Sequence, residues 1–293
     1  MSHPSPTDEQ AGYARLGPRS LLWRYAGDWR AMLPGSSAGI LQLMHPGIGA
    51  GVAEHSAFFE DPMARIRRSV PQIWASIFQP DGEARGRAIR DLHRHVKGVD
   101  GAGRRYHALD AETFWWAHAT FTWEIFRSVE LFHRRSLRRE EAEQLYADTV
   151  AWYDRYGMSH RPVPPTYDAF RERFDAVCRH TLERTPAVDR ALTVKVADLG
   201  DDALGPPALR SLLAPVVAPT AELLVAGCMP GVVRRQLGMQ WGPAERAQFR
   251  GLTAAIRQGF RFVPHPLNQR TFWHVQRMVG ARTRPERYRP AAA

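Results

Sequence analysis

Lysine is nearly missing from this chain of 293 residues: Lys97 and Lys195 are the only two, and the other 38 basic side chains are arginines. The formal net charge is +10. A surface built for loose phosphate binding mixes both residue types. Arginine alone, beside abundant alanine, glycine and proline, reads first as a GC-rich coding bias. The charge therefore permits a nucleic-acid or anionic partner without demanding one. Cysteine is scarce too. Cys178 and Cys228 exclude a disulfide framework and a cysteine-rich zinc module, and their apolar neighbours suit buried thiols in a reducing, cytoplasmic setting.

Long hydrophobic runs are also lacking. The longest apolar stretch, Ser211 to Val233, contains Glu222 and is cut by Pro215, Pro219 and Pro230. No clean run of ~20 apolar residues exists to span a bilayer. Met1 to Gln10 is polar, holds two prolines and has no apolar region of the kind a secretory signal needs. The phosphate-cradling glycine loops, the His-Glu-x-x-His metal motif and the Gly-x-Ser-x-Gly elbow do not occur.

What is present is enough apolar residue, 44%, to bury a sizeable core. Its spacing is helical almost everywhere, with no Val/Ile-rich alternating runs joined by Asn-Gly turns. The expected class is all-α: a single helical-bundle domain of about ten helices over residues 21–280. A flexible segment precedes it at 1–20 and a frayed Arg/Pro-rich tail follows at 281–293. The first helix is expected over 20–33. A second over 37–44 is opened by Ser36 or Ser37 and interrupted at His45-Pro46, because proline lacks the N–H and disfavours helix before it. The chain then resumes as helix to about Phe59. Asp61-Pro62 should open a helix to about Phe78, kinked at Pro71. Asp81 should cap one running to about Lys97, and Asp110 a long aromatic one over 111–134. Further helices are expected over 137–156, 167–184, 207–227, 230–237, 243–259 and 266–280. Residues 186–206 read as a long loop.

Twelve histidines offer chemistry. On a helix over 82–97, His93 would share a face with Ile89, Leu92 and Val96. An imidazole in an apolar stripe is either a satisfied core histidine or a ligand to a metal or haem iron. His95 would point the other way, to solvent. His118 sits within the dense aromatic run Phe114 to Trp123, where burial requires a use for its ring nitrogens. His45 precedes proline, where a freed carbonyl could accept its proton; a structural and a site role stay open. His55 lies beside Glu54. His265 and His274 read as structural or exposed. Arg65, Arg68 and Ser69 fall at i, i+3 and i+4 on one face, either a solvated basic face or an anion clamp suited to carboxylates. Gly47, Gly49 and Gly51 permit close helix packing or close approach of a flat ligand.

Several blocks, in order, carry a family resemblance. They are Leu41-Gln-Leu-Met-His-Pro-Gly47, Gly51-Val-Ala-Glu-His-Ser56, Asp61-Pro-x-x-Arg65-x-x-Arg68-Ser69, His93-x-x-Val96-x-Gly98, Tyr106-x-Ala108 and Trp116-Ala-His118-Ala-Thr120. Together they resemble the family that groups the bacterial rubber oxygenase (latex-clearing protein) and the fungal mycophenolic-acid oxygenase MpaB. The blocks cover about residues 22–125. The resemblance implies a partly globin-like helical fold holding haem b and acting with dioxygen on a carbon–carbon double bond of an isoprenoid-like molecule. By the same resemblance His93 is the proximal iron ligand, and Arg65, Ser69 and His45 help to bind the cofactor. Arg65, Arg68 and His118 act in catalysis. The family's Arg-x-x-Lys-Thr block appears here with Arg68 for lysine and Ser69 for threonine. An arginine, with pKa above ~12, does not ligate iron as a neutral lysine does, so Arg68 is expected to hold a propionate or polarise oxygen.

The leading expectation is therefore a haem-dependent oxygenase with dioxygen and a small apolar substrate as partners, with or without an electron donor, and without nucleic acid. Monomer and homodimer stay open. A second reading uses His45, His55, His93 and His118, with Glu54, as direct ligands to a non-haem metal. A third is a non-catalytic protein with a basic binding surface.

Overall fold

A computed structural model describes residues 16–56, 62–193, 207–270 and 272, apart from the side chains at 62–68 and 207–216. Its architecture is an all-α bundle. Among the described residues twelve α-helices and one 3₁₀ helix accompany a two-stranded hairpin.

The expected first helix is two pieces. Helix α1 is Leu21–Ala26, capped by the Ser20 hydroxyl, and the 3₁₀ helix is Trp29–Met32. The break falls at Gly27-Asp28. Asp28 is fully buried, caps the second piece through the backbone N–H of Arg30, and pairs with the Arg30 guanidinium. Helix α2 is Gly35–Leu43, and no side chain caps it. The expected cap, Ser37, instead donates its hydroxyl to the Val225 carbonyl, which ties α2 to a later helix. Helix α3 is Pro46–His55, with His45 at the N-cap and Pro46 in the first turn, so the interruption is where proline chemistry puts it. Residues 57–61, including Asp61, lie outside the described residues.

Helix α4 is Pro62–Phe78 and runs through Pro71. Helix α5 is Gly82–Leu92, five residues shorter than expected. It ends because the backbone turns at His93 into a hairpin: strand β1 is Lys97–Val99 and strand β2 is Arg105–His107, antiparallel with Gly98 opposite Tyr106. This hairpin is a correction to the reading without strands. Its strands are three residues long, too short to show alternation. The legible signal is Asp100-Gly101 in the turn, where the Asp100 carboxylate accepts from the Ala102 and Arg104 backbones and Gly103 takes φ of +79°.

Helix α6, Ala111–Phe132, is capped by Asp110 as expected. It is buried on most of its surface, as an apolar-all-round helix must be. The later helices are α7 Arg139–Asp154, α8 Tyr167–His180, α9 Pro186–Thr193, α10 Pro207–Cys228, α11 Gly231–Gln236 and α12 Pro243–Gly259, of which α7 and α12 pack against it. Residues 265–270 are also helical. Helix α9 corrects the long loop expected over 186–206. Thr185 accepts from the Val188 backbone and Pro186 occupies the first turn, so the cap is a Thr-Pro pair that weak periodicity concealed. Residues 194–206 lie outside the described residues.

Helix α2 packs on α6, α1 on α7, α4 on α5, α3 on α9 and the hairpin, and α10 on α12. The core holds Trp74, Trp116 and Trp152, all nearly inaccessible. Burying a side chain of that size contributes on the order of 2–3 kcal/mol. Polar ties fix the registry. Trp116 donates its indole N–H to the Leu41 carbonyl, Trp152 donates to the Ser76 hydroxyl, and the Leu22 backbone donates to the Asp148 carboxylate. Both cysteines are buried free thiols.

Candidate functional site

Apart from the Asp61–Ser69 block, whose side chains lie largely outside the described residues, the blocks singled out in the sequence meet in space. Tyr106, on β2, donates its hydroxyl to Glu54 of α3 at 2.5 Å. Gly98 lies directly beneath that bond: a Cβ there would stand 2.7 Å from the Tyr106 hydroxyl and 2.9 Å from the Glu54 carboxylate. A Cβ at Gly51 would stand 3.0 Å from Val96, and one at Gly49 would stand 2.6 Å from the Leu43 carbonyl and 2.9 Å from the Thr185 hydroxyl. The glycines at 49 and 51 therefore serve close packing of α3 against the hairpin and α9. Two other blocks join through Gln42, whose amide donates to Thr120 of α6 at 2.8 Å.

This packing sets His93. The residue is the C-cap of α5, with φ of −94° and ψ of 0°. Its carbonyl accepts the Val96 N–H, and the Val96 carbonyl accepts the Ala108 N–H, so the turn is held by the hairpin. The apolar-face reasoning needs amendment here: Val96 is past the helix end, and Leu92 is 49% exposed instead of facing inward. His93 is half-buried, with its ring edge-to-face on Phe114 at 6.4 Å. Its Nδ1 lies 2.7 Å from the Ile89 carbonyl. A carbonyl only accepts, so Nδ1 carries a proton; in the neutral ring the lone pair is then at Nε2. His95 is exposed, as expected.

His118 is of another kind. It is 6% exposed and packed among Trp152, Tyr153 and Tyr156, with ring centroids at 4.7, 5.1 and 5.9 Å. Its Nε2 donates to the Thr149 carbonyl of α7 at 2.9 Å. Its Nδ1 has no partner. Burial drives its pKa down to about 3, so the ring is neutral. The one N–H is committed, which leaves His118 an acceptor with no donor to offer. His93 and His118 do not touch. Phe114, Tyr153 and Tyr156 form a chain of ring contacts between them.

His45 is also largely buried, its pKa pushed down to about 4 by desolvation, and its Nδ1 has no partner. The carbonyl expected to take its proton is already satisfied: Gln42, four residues before Pro46, accepts the His45 backbone N–H. His55 lies 3.9 Å from Glu54 and edge-on to Tyr106. Ser69 is partly buried on α4, while the side chains of Arg65 and Arg68 lie outside the described residues, as does His274. Among the described residues no three His, Cys, Asp or Glu side chains gather to hold a metal ion. The set His45, His55, His93, His118 and Glu54 does not converge, which removes the geometric basis of the non-haem reading.

A family model described as ER-bound oxygenase mpaB/B'/Rubber oxygenase, catalytic domain, matches residues 23–258. The chain belongs to this family. No curated protein and no solved structure matches it. Membership in the mpaB/rubber-oxygenase family makes oxygenation the class of activity, an oxidoreductase reaction that takes dioxygen and a substrate. Among the described residues no helix is long and apolar enough to cross a membrane.

Two features of this mpaB-family chain escaped the sequence reading. One is the bond between Tyr106 and Glu54; both residues stood in the quoted blocks without a role. The other is Glu124, 3% exposed on α6, whose carboxyl is raised to about 8 by burial alone. Its signal was a lone carboxylate directly after the aromatic run. Cavities of about 510 and 750 Å³ are lined by none of His45, His93 and His118, the first walled by α6, α8 and α11 and the second beside α7.

Proposed function

We propose that this chain is a haem b-dependent oxygenase with His93 as the iron ligand, acting on a small apolar molecule with an isoprenoid-type double bond. One observation carries the reading: the tautomer and seat of His93. A ligating imidazole needs its second nitrogen held by a carbonyl or carboxylate, which fixes the ring and raises the basicity of the ligating atom. His93 has this through Ile89, at a helix end braced by the hairpin, with Phe114 as an apolar wall. The residues present therefore fit a haem that would be held through His93. Bound haem would supply the affinity for dioxygen and the redox capacity that no side chain here has.

The protein's own groups have simpler tasks. Arg65, Arg68 and Ser69 are assigned to the carboxylates of the cofactor, because a guanidinium meets a carboxylate in a two-bond fork. Arg68, in the place of the family's lysine, stays charged and so acts as a donor. His45 and His118 are assigned as neutral acceptors, since burial holds both uncharged. Residues 21–280 are assigned to one catalytic domain, which contains the whole family match. Two buried free thiols suit a reducing compartment such as the cytoplasm.

The test is hemin titration of the purified chain, followed by oxygen uptake with a short isoprenoid alkene. A one-to-one Soret complex and alkene-dependent oxygen consumption are expected. No Soret complex would overturn the cofactor, and a complex without oxygen consumption would overturn the reaction.

A further inference from the structure

We propose that the cavity between α6, α8 and α11 is a second small-molecule site, which binds an amphipathic carboxylate. Its apolar body would lie on the aromatic wall and its carboxylate on Arg127 and Arg234. The site is separate from the histidine region and does not depend on haem.

The cavity measures about 510 Å³, room for a chain or ring of modest size. Its wall is made of rings locked in pairs. Trp123 stacks on Phe174 at 5.7 Å with 7° between planes, and Phe126 stacks on Tyr167 at 4.2 Å. Rings that already support each other keep the wall open without ordering more side chains, which lowers the cost of binding.

The cationic end is as firmly built. Arg127 donates to the Gly227 and Cys228 carbonyls, each at 3.1 Å, and pairs with Glu130. Arg234 donates to the Ala226 carbonyl at 2.6 Å and lies over Trp241, its guanidinium carbon 4.2 Å from the ring centre. Arg234 has no carboxylate partner among the described residues. The charges that act on it are Arg127, Arg235 and Arg246, all positive, and together with burial they lower its pKa. Neither acid that lines the cavity pairs with Arg234: Glu130 pairs with Arg127 and Asp175 with Arg179. A partly buried cation among cations is costly. A carboxylate would relieve that cost in the geometry a guanidinium prefers. A small inorganic anion would leave the aromatic wall uncovered, and a neutral alkane would leave Arg234 unanswered.

The experiment is calorimetric titration of the full, haem-free chain with three probes: octanoate, octanol and acetate. Octanoate is expected to bind on the order of tenfold more tightly than octanol, about what one charge-assisted hydrogen bond contributes. Acetate is expected not to bind at millimolar concentration. Arg234→Gln should remove the preference for octanoate and leave octanol unchanged. If that variant does not fold, raising the salt on the unaltered protein should weaken octanoate and not octanol. Equal affinity for octanoate and octanol would overturn the proposal. So would an Arg234→Gln variant that folds and keeps the preference, or octanoate binding that hemin abolishes.

Discussion

Two histidines from the same family blocks sit in opposite surroundings. His93 is at a helix end, half-buried and braced by a hairpin, with Nδ1 committed to a carbonyl of its own helix. His118 is one turn past Phe114 in the most enclosed helix, with Nε2 committed to a carbonyl of the next helix. The first arrangement fixes a ring within its own helix; the second ties α6 to α7. The residue type is alike for the two, and both stand in quoted family blocks. What divides them is where the chain ends its helix, and the proposed ligand role of His93 rests on that difference.

The largest way to break this comparison is truncation. His118→Ala removes the second donor to the Thr149 carbonyl and leaves a void among three aromatic rings, so it should cost about 3–4 kcal/mol in urea unfolding of the haem-free chain. His93→Ala should cost less than about 1 kcal/mol in the same measurement, because its bond is local and half-exposed. Equal losses would erase the distinction.

The enclosed side should also show itself by pH. Glu124 has a pKa raised to about 8, so the folded state keeps its proton where the unfolded chain has lost it. That stabilising protonation is complete below the unfolded value of about 4.5 and fades as pH rises toward 8. Glu124→Gln should therefore add on the order of 4 kcal/mol at pH 8 and little at pH 4. His118 runs the other way. Its folded pKa near 3 means that stability is lost as pH falls below about 6.5, where the unfolded chain takes up a proton that the core refuses. Midpoints of urea unfolding across pH 4 to 8 for the unaltered chain and Glu124→Gln would separate the two slopes.

The smallest expected effect belongs to the braced side. Tyr106→Phe removes the hydroxyl donated to Glu54 and should cost only about 0.5–1 kcal/mol. If the hairpin sets His93, hemin affinity should fall in this variant by more than the stability loss accounts for. Unchanged affinity would show that the hairpin is a bystander.

Most of the fold was legible in the sequence because its helices carry strong local signals. Asp110 caps α6, Pro46 opens α3 and an aromatic stripe follows. The misses share a cause. The hairpin is set by a three-residue register and by the fit of Tyr106 over Gly98, and α9 is held by Thr185 on the Leu43 carbonyl. Those are long-range contacts without periodicity. For the candidate site, His93 was selected by a face it does not have, since the helix ends one residue before it. What supports proposing it is the Ile89 bond, which no spacing could foretell. Burial of His118 was legible; the direction of its N–H was not.

The central claim is that His93, and not His118, is the iron ligand. The direct measurement is the visible spectrum of hemin-titrated unaltered chain, His93→Ala and His118→Phe, the last chosen to keep the core filled. A Soret band in the unaltered chain and in His118→Phe, lost in His93→Ala and restored there by added imidazole, is what the tautomer and seat of His93 predict. A band that survives in His93→Ala and disappears in His118→Phe would contradict it.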